Sequence, residues 1–357
     1  MSAHIIAARR SPVMTAGGAF ARLDLHHLAR PVIAACLADA GVEPGEVEEL
    51  ICANALAAGG NPARVLALAA GLSERVAGLT IDRQCAGGLD AIRLGAALIT
   101  AGAADLVLAG GVESASRRPI RMRTDPGGGP PVAYDAPPFT PWPERDPDMH
   151  EAAATLALRL GISRVEQDAF AVASHARAMA AVLPEIVPVA GHARDGFTRQ
   201  LTPALAARAR PVHGTITAAN AAVSADAAAF VLLASARIAS RAPRALRILA
   251  SATLGAATED PGLAPIPAIA RIWSPSDALA QAEIMEAYAV QAIACIRGAG
   301  IDPAIVNPGG GALARGHPIG ASGAILATRL FHDLQSGRGL AAIAAAGGIG
   351  SALLIGA

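Results

Sequence analysis

The sequence contains no lysine, so all 29 of its basic residues are arginines. This absence excludes Schiff-base catalysis on a lysine amine and a phosphate-binding loop that depends on lysine. Aromatic residues make up only 3% of the chain, and 29 acidic residues balance the 29 basic ones. Because the net charge is zero and no basic run is interleaved with aromatics, we expect no nucleic-acid partner.

Cysteine is also scarce, with four in 357 residues and no metal-ligand spacing between them. This usage predicts reduced thiols in a cytosolic protein rather than a disulfide framework or a metal centre. The first residues, MSAHIIAARRSP, lack the long apolar segment of a secretory signal and favour a strand. The Ala/Gly-rich segment 340–357 favours buried strands over a membrane span. We therefore expect a cytoplasmic protein without a membrane partner.

The pattern of apolar residues is typical of an α/β protein. Short apolar runs such as LICANAL alternate with Ala-rich helical stretches such as LHHLARPVIAACLADAG. Segment 117–148 breaks this pattern because it is dense in proline and glycine, which predicts a surface excursion. A helical stretch follows over about 150–181, and a second α/β unit begins near Ala245.

An internal repeat is indicated by the chain. A shift of 237 positions places AGGVES, residues 109–114, on AGGIGS, residues 346–351, and the helix after Cys85 on the helix after Ser322. The repeat predicts two related halves, each a sheet flanked by helices, with their helix-opening loops near a shared centre. An accidental match between Ala/Gly-rich segments is the alternative.

One cysteine differs from the other three in its setting. Cys36, Cys52 and Cys295 lie among apolar neighbours and are interpreted as small core residues. Cys85 follows the strand-like GLTIDRQ and directly precedes AGGLDAIRLGAALITAG, at a strand-to-helix turn. The free N–H groups at such a helix start are expected to stabilise a thiolate. Position alone leaves open a nucleophile and a buried structural cysteine.

Among the nine histidines, His317 stands out because it lies in NPGGGALARGHPIGASGA. The proline that follows disfavours a helical conformation at His317, and the flanking glycines leave space around it because they have no side chains. The imidazole is therefore expected on a tight turn just ahead of a helix, where it could donate to a substrate oxygen. A histidine that only bonds its own loop is the alternative on local grounds.

These two segments together resemble the thiolase family. IDRQCAGGLDA resembles the thiolase nucleophile segment, and NPGGGALARGHPIGASGA is similar to the C-terminal histidine motif. Further similar segments, in order, are ESASRRP, GISRVEQDAFAVASHARA, EIVPV, GTITAANAAVSADAAA and APIPA. The resemblance spans nearly the whole chain.

The resemblance implies a five-layered α/β/α/β/α fold built from two similar halves. Residues 1–116 and 200–244 would form the N-terminal half, and residues 245–357 the C-terminal half. Residues 117–199 would form a loop domain that covers a coenzyme A site and is shorter than is usual in the family. A homodimer through the N-terminal half is the expected assembly.

The resemblance also implies roles for individual residues. Cys85 would attack an acyl-CoA to form an acyl-enzyme, and His317 would activate it and donate to the thioester oxygen. The backbone N–H groups of Cys85 and Ala346 would form a second oxyanion site. Acyl transfer of this kind needs no metal and no redox cofactor.

Contacts to the coenzyme are expected from four residues in matching segments. Met149, Ala287 and Tyr288 would lie near the pantetheine arm, and Arg210 near a phosphate. With no lysine in the chain, charge contacts to the phosphates must come from arginine or the backbone.

Two family positions are not kept. Where thiolases carry Asn-Glu-Ala-Phe this chain reads Met-Glu-Ala-Tyr, so Met285 replaces the asparagine that holds a catalytic water. Ala344 stands where thiolases supply a second cysteine as general acid and base. Alanine cannot take a proton from the α-carbon of a thioester, so Glu286, Tyr288 or a bound water would have to substitute.

Three functions remain open from the sequence. The first is a divergent thiolase that makes or cleaves a 3-oxoacyl-CoA, with impaired or altered condensation. The second is an acyl-enzyme former with another acceptor or with hydrolytic release. The third is a non-catalytic thiolase-like subunit that binds acyl-CoA or associates with another thiolase-like subunit.

Overall fold

A computed structural model describes residues 2–57 and 59–357 of the chain. The strands within these residues are β1 (Ala3–Arg10), β2 (Met14–Thr15), β3 (Glu49–Ala53), β4 (Leu79–Ile81), β5 (Leu106–Ser114), β6 (Arg121–Arg123), β7 (Val132–Tyr134), β8 (Pro211–His213), β9 (Ile216–Thr217), β10 (Ala225–Ser235), β11 (Leu246–Gly255), β12 (Gln281–Ile284), β13 (Arg338–Ala345) and β14 (Ile349–Gly356). The helices are α1 (Leu25–Ala40), α2 (Pro62–Ala69), α3 (Gly87–Thr100), α4 (Met149–Leu160), α5 (Arg164–Ala180), α6 (Pro203–Ala207), α7 (Ala236–Ala239), α8 (Pro265–Ile272), α9 (Ala289–Ala299), α10 (Ala312–Arg315) and α11 (Ile319–Asp333).

The main sheet consists of two halves with the same strand order. The first runs β1-β10-β5-β3-β4, and the second runs β11-β14-β13-β12. In both halves the first three strands pair with one another in antiparallel fashion. The third and fourth strands, β5 with β3 or β13 with β12, pair in parallel. A parallel bridge between Ala282 and Val306 occupies the place that β4 takes in the first half. The internal repeat is therefore present in the topology.

The register of the repeat differs from the one expected. The starts of α3 and α11, and those of β5 and β13, are each separated by the same 232 residues that separate Cys85 from His317. The shift of 237 positions is therefore wrong as a structural register. It was based on two short, similar Ala/Gly segments, whereas the structural register follows the equivalent strands and helices. In the true register, Cys85 and His317 occupy equivalent turns of the two halves.

The two half-sheets and their helices form five layers. One apolar cluster joins α1 and α2 to the outer face of the first half-sheet, and another joins α8 and α9 to the outer face of the second. The central cluster contains α3 and α11 together with strands of both half-sheets. The five-layered α/β/α/β/α prediction is confirmed.

Close packing of the two central helices brings their first turns together. A Cβ added at Gly88 of α3 would lie 2.7 Å from the backbone nitrogen of Ala324, and one at Gly323 of α11 would lie 2.4 Å from that of Leu89. Larger side chains at these two glycines would force the helices apart. The turns that precede both helices therefore meet at the centre of the molecule, as the sequence predicts.

Segment 117–199, here called the excursion, lies between β5 and β10. It carries the β6–β7 hairpin and the helices α4 and α5. The helical stretch expected over about 150–181 is broken at Gly161, which caps α4 in a left-handed conformation. Apolar residues of α4 pack against α9 of the second half. The exact boundaries of the loop domain and its shortening stay predictions.

The C-terminal segment forms β13 and β14, which are buried strands, as the sequence predicts. Among residues 2–57 and 59–357, no helix is both long enough and apolar enough to cross a membrane.

Candidate active site

Cys85 lies on a short 3₁₀ turn, Gln84–Ala86, that runs directly into α3. The preceding Gln84 adopts a left-handed backbone conformation with φ of 48°. Asp82 stabilises this turn, since its carboxylate accepts from the Gln84 backbone N–H at 2.9 Å and from the Gln84 side chain at 3.0 Å. Cys85 is partly exposed, whereas the other three cysteines are buried as predicted.

His317 faces Cys85 from the equivalent turn of the second half. Its Nε2 lies 3.1 Å from the Cys85 Sγ, and its Nδ1 lies 2.6 Å from the Ser322 hydroxyl. Ser322 donates its single hydroxyl proton to the Pro318 carbonyl at 2.9 Å, so its oxygen must accept from Nδ1. The Nε2 lone pair therefore points at the thiol, which is the tautomer that a general base requires.

The backbone of the histidine turn is fixed by the segment before β10. The His317 N–H donates to the Val223 carbonyl at 2.8 Å, and a parallel bridge joins His317 to Ser224. Gly316, with φ of 109°, supplies the backbone conformation that lets the chain turn here. The backbone of His317, in the second half, is thus held against the segment that precedes β10 in the first half.

Both members of the pair are neutral in the resting site. Burial raises the pKa of the Cys85 thiol to about 12, although the backbone N–H groups of Cys85 and Ala346 act in the opposite direction. Burial lowers the pKa of the His317 imidazole to about 4. The N–H groups favour the thiolate, as the sequence predicts, but desolvation outweighs them and the resting thiol keeps its proton. The pair is suited to proton transfer during attack.

The pair lines a cavity of about 370 Å³ between the two halves and the excursion. Its wall is mainly apolar, with contributions from α4, the turn before α9 and the end of β13. The wall includes Met149, His150, Ala287, Tyr288, Ala344 and Ala346. A nucleophile and a base at an apolar cavity fit a reactive organic acyl group.

Comparison with known proteins agrees with this geometry. The family model for the thiolase N-terminal domain matches residues 3–237, and the model for the thiolase C-terminal domain matches residues 243–357. The chain belongs to the thiolase family. An acetyl-CoA acetyltransferase of Paracoccus denitrificans is 38% identical over 385 residues, which cover 98% of each chain.

Two solved thiolase-fold structures align over almost the whole chain. An acetyl-CoA acetyltransferase from Bacillus anthracis has a TM-score of 0.92 at 33% identity and covers 99% of this chain and 98% of its own. The Acat5 thiolase from Ascaris suum, solved in complex with coenzyme A, has a TM-score of 0.92 at 32% identity and covers all of both chains. The chain is therefore an acyltransferase of the thiolase family.

Ala344 near the end of β13 and Ala346 just after it lie at the cavity with Cys85. The Ala346 N–H is directed at the Cys85 sulfur, and the Cys85 N–H is directed at the same atom. Ala344 lines the cavity but offers only a methyl group. The position where thiolases supply a second cysteine is thus close to the thiol but without a titratable group.

Met285 and Glu286 do not line the cavity. Met285 is 1% exposed and belongs to the central apolar cluster. The buried Glu286 carboxylate accepts from Ser174 at 2.6 Å and from Asn307 at 2.7 Å, and it also bonds the Leu313 N–H. Glu286 therefore fixes the loop that leads to His317, and the suggestion that it replaces the missing base is wrong.

The residues expected near coenzyme A divide into two groups. Met149, Ala287 and Tyr288 line the cavity, whereas Arg210 is exposed and lies outside its wall. Asp148 caps α4 by accepting from the His150 and Glu151 N–H groups, and this positions the first turn of the helix. The phosphate contact of Arg210 stays a prediction.

Two contacts of the candidate site were not predicted from the sequence. Ser322, which fixes the tautomer of His317, follows it by five residues and lies in the same motif. His150 lines the cavity, and its Nδ1 lies 3.2 Å from the Tyr288 hydroxyl. The two rings pack edge to face, with centroids 5.5 Å apart. No sequence signal joins residues that lie 138 positions apart, although the unusual tyrosine itself was visible.

Proposed function

We propose that the protein transfers acyl groups to or from coenzyme A through an acyl-enzyme on Cys85, in the synthesis or cleavage of a 3-oxoacyl-CoA. The 3.1 Å contact between the Cys85 Sγ and the lone-pair nitrogen of His317 carries this proposal. It also argues against a non-catalytic subunit, since a base held against a thiol serves no purpose in binding alone.

The first half-reaction follows from the neutral pair. As the Cys85 sulfur bonds to the thioester carbon, its proton moves to His317 Nε2, and the electron pair of the carbonyl moves onto oxygen. The N–H groups of Cys85 and Ala346 are the proposed donors to that oxygen. Collapse expels the coenzyme A sulfur, which takes the proton from His317. The acyl group then remains on Cys85 and the imidazole is neutral again.

The second half-reaction is where this chain departs from the family. Carbon–carbon bond formation requires a proton to leave the α-carbon of a second thioester, and Ala344 cannot accept it. General acid–base help is typically worth about 10²–10⁴-fold, so we expect condensation to be altered or slower than in thiolases with a second cysteine. Ala344 favours one further candidate, an acyl-enzyme that passes its group to another acceptor or to water.

Two assays separate these possibilities. Incubation with acetyl-CoA, followed by intact-protein mass measurement, shows whether one acetyl group is gained. Incubation of acetoacetyl-CoA with free coenzyme A then shows whether two acetyl-CoA molecules form. Acetylation with cleavage supports the proposal, and acetylation with slow release to water favours the other acceptor. A protein that is never acetylated across several acyl-CoAs would contradict both.

Coenzyme A is proposed to enter along α4. Met149, Ala287 and Tyr288 line the path to Cys85 and are the candidate contacts for the pantetheine arm. The similar Ascaris suum thiolase was solved with coenzyme A, which supports the ligand class. Arg210 remains the candidate for a phosphate contact, since a chain without lysine must use arginine or the backbone. The proposed thioester exchange uses neither a metal nor a redox cofactor.

The pH dependence of acylation tests the state of His317. Because burial lowers the pKa of this imidazole to about 4, it stays neutral and able to accept a proton well below the ordinary histidine range. We expect the single-turnover rate of Cys85 acetylation to stay level from pH 8 down to about pH 5. An imidazole with a pKa of 6.5 would instead lose roughly 30-fold at pH 5. A midpoint near 6.5, in protein shown by circular dichroism to be folded, would contradict this.

We also infer a homodimer that forms through the free edge of β4. This strand ends the first half-sheet, and its Leu79 is 46% exposed. An unpaired edge with an exposed leucine is suited to pair with a second copy. Sedimentation should give twice the chain mass of 35.7 kDa for the wild type, and Leu79→Glu should shift the protein toward the monomer. A monomeric wild type, or a complex with another thiolase-like chain only, would contradict it.

A further inference from the structure

We propose that His150 and Tyr288 together move the α-proton of the second acyl-CoA, in the place of the absent second cysteine. This inference rests on the proposed function, because it assigns the acid and base of its second half-reaction.

The two side chains meet at the wall of the same cavity as the nucleophile. The Tyr288 hydroxyl lies 3.2 Å from His150 Nδ1, and both residues line the cavity with Cys85 and His317. The rings are nearly perpendicular, at 86°, which orients the phenol toward the edge of the imidazole. Such a contact allows a proton to pass between the two groups.

The backbone on both sides of this contact is held in place. His150 lies in the first turn of α4, where its N–H donates to the Asp148 carboxylate at 2.8 Å. On the other side, the Ala287 carbonyl accepts from Ala222, and the Ala289 N–H donates to Asn220, each at 2.9 Å. Tyr288 is thus bracketed by two bonds, and the pair is anchored on elements rather than on loose loops.

The other titratable groups of the described cavity wall are already engaged. Asp260 forms two 2.6 Å bonds to the Arg159 guanidinium, which keep its carboxylate as an acceptor. The two ring nitrogens of His317 form hydrogen bonds with Cys85 and Ser322. Among the described residues of the wall, this leaves His150 and Tyr288 as a titratable pair whose partners are each other.

The state of the phenol fits a relay rather than a free phenolate. Burial raises the pKa of Tyr288, and the neighbouring Asp148 and Cys85 act in the same direction. The phenol therefore keeps its proton at rest. Its oxygen can take a proton from carbon only if its own proton leaves at the same time, and His150 Nδ1 is the acceptor within reach.

The step balances as follows. The α C–H bond of the second acyl-CoA breaks, its proton bonds to the Tyr288 oxygen, and the phenol proton bonds to His150 Nδ1. The electron pair left on carbon attacks the acyl carbon held by Cys85, so a C–C bond forms and the C–S bond to Cys85 breaks. The sulfur leaves with the electron pair of the broken C–S bond. The proton then returns from His150 through Tyr288 to the sulfur, which regenerates the thiol and both partners.

Exchange of the acetyl-CoA methyl protons in deuterated water isolates this step. The wild type is expected to place deuterium in the acetyl group, and Tyr288→Phe should lower that rate by about 10²-fold or more. Acetylation of Cys85 in the same variant should fall far less than exchange, because phenylalanine keeps the ring and its packing and loses only the hydroxyl. Tyr134→Phe, which alters the only other tyrosine, should change neither rate.

A second variant tests whether His150 accepts a proton or only orients the phenol. His150→Asn can keep a hydrogen bond to the hydroxyl but cannot take its proton, so exchange should fall as in Tyr288→Phe. Exchange at the wild-type rate in His150→Asn would overturn the relay.

The remaining outcomes are equally decisive. Wild-type exchange in Tyr288→Phe, or an equal loss of acetylation and exchange, would overturn the assignment of the pair to the second half-reaction. An acetylated wild type without any exchange would do the same. A wild type that shows Tyr288-dependent exchange but no acetylation would support the pair while contradicting the proposed acyl-enzyme.

Discussion

Cys85→Ser is expected to lower acyl transfer by on the order of 10⁴-fold or more, measured as coenzyme A release from acetyl-CoA or as cleavage of acetoacetyl-CoA. Cys85 carries the only thiol at the cavity wall among the described residues, and its sulfur lies 3.1 Å from His317 Nε2. A serine hydroxyl fits the same space but is a far weaker nucleophile toward a thioester at neutral pH.

Cys295→Ala is the matched control for this variant. Cys295 is buried in α9, away from the cavity wall, and its replacement should leave acylation intact while lowering the free energy of unfolding slightly. If Cys85→Ser kept the turnover of the wild type, or if Cys295→Ala lost it, the assignment of the acyl carrier would be wrong.

His317→Ala is expected to slow the acetylation of Cys85 by about 10²–10⁴-fold, because among the described residues His317 is the base in hydrogen-bond contact with the attacking sulfur. Burial raises the pKa of the thiol to about 12, so spontaneous ionisation at neutral pH supplies very little thiolate. The loss should therefore shrink as the pH rises, since a larger fraction of the thiol ionises without help. Rapid-quench mass measurement between pH 7 and 9.5 follows this trend.

His332→Gln provides the comparison for the histidine variant. His332 lies near the end of α11, where it bonds the Ala8 carbonyl rather than the cavity. We expect it to acylate like the wild type. A rate in His317→Ala that equals the wild type at every pH would show that the imidazole is not the base.

The proposed catalytic pair could be predicted from the sequence because each member lies in a local motif. Cys85 opens α3 and His317 opens α11, and both turns carry glycines that local analysis detects. Their meeting follows from the two-half architecture. The register of the halves was not accessible, since it is set by hydrogen bonds between strands rather than by similar letters in Ala/Gly-rich turns.

The protonation of the pair could not be predicted from the sequence. The helix start at Cys85 suggested a thiolate, but the wall that desolvates the sulfur comes from residues such as Tyr288 and Ala346, which are distant in the chain. Desolvation is a property of the assembled cavity, and it dominates the pKa of both groups.

The assembled fold also decides which of the side chains of Met285, Glu286 and Tyr288 reaches the cavity. All three stand in one short motif, yet only Tyr288 reaches the cavity, while the methionine enters the core and the glutamate bonds the loop before His317. The direction of each side chain depends on where β12 ends and α9 begins. The contact of Tyr288 with His150 joins the second half to the excursion and has no local signature.

In the proposed function, Cys85 is the residue that carries the acyl group. The most direct test of this role is proteolytic mapping of the wild-type protein after brief incubation with acetyl-CoA and acid quench. We expect one acetyl group per chain, held as a thioester on the peptide that contains Cys85 and released by hydroxylamine. An acetyl group on any other residue, or an unmodified Cys85 peptide at saturating acetyl-CoA, would contradict it.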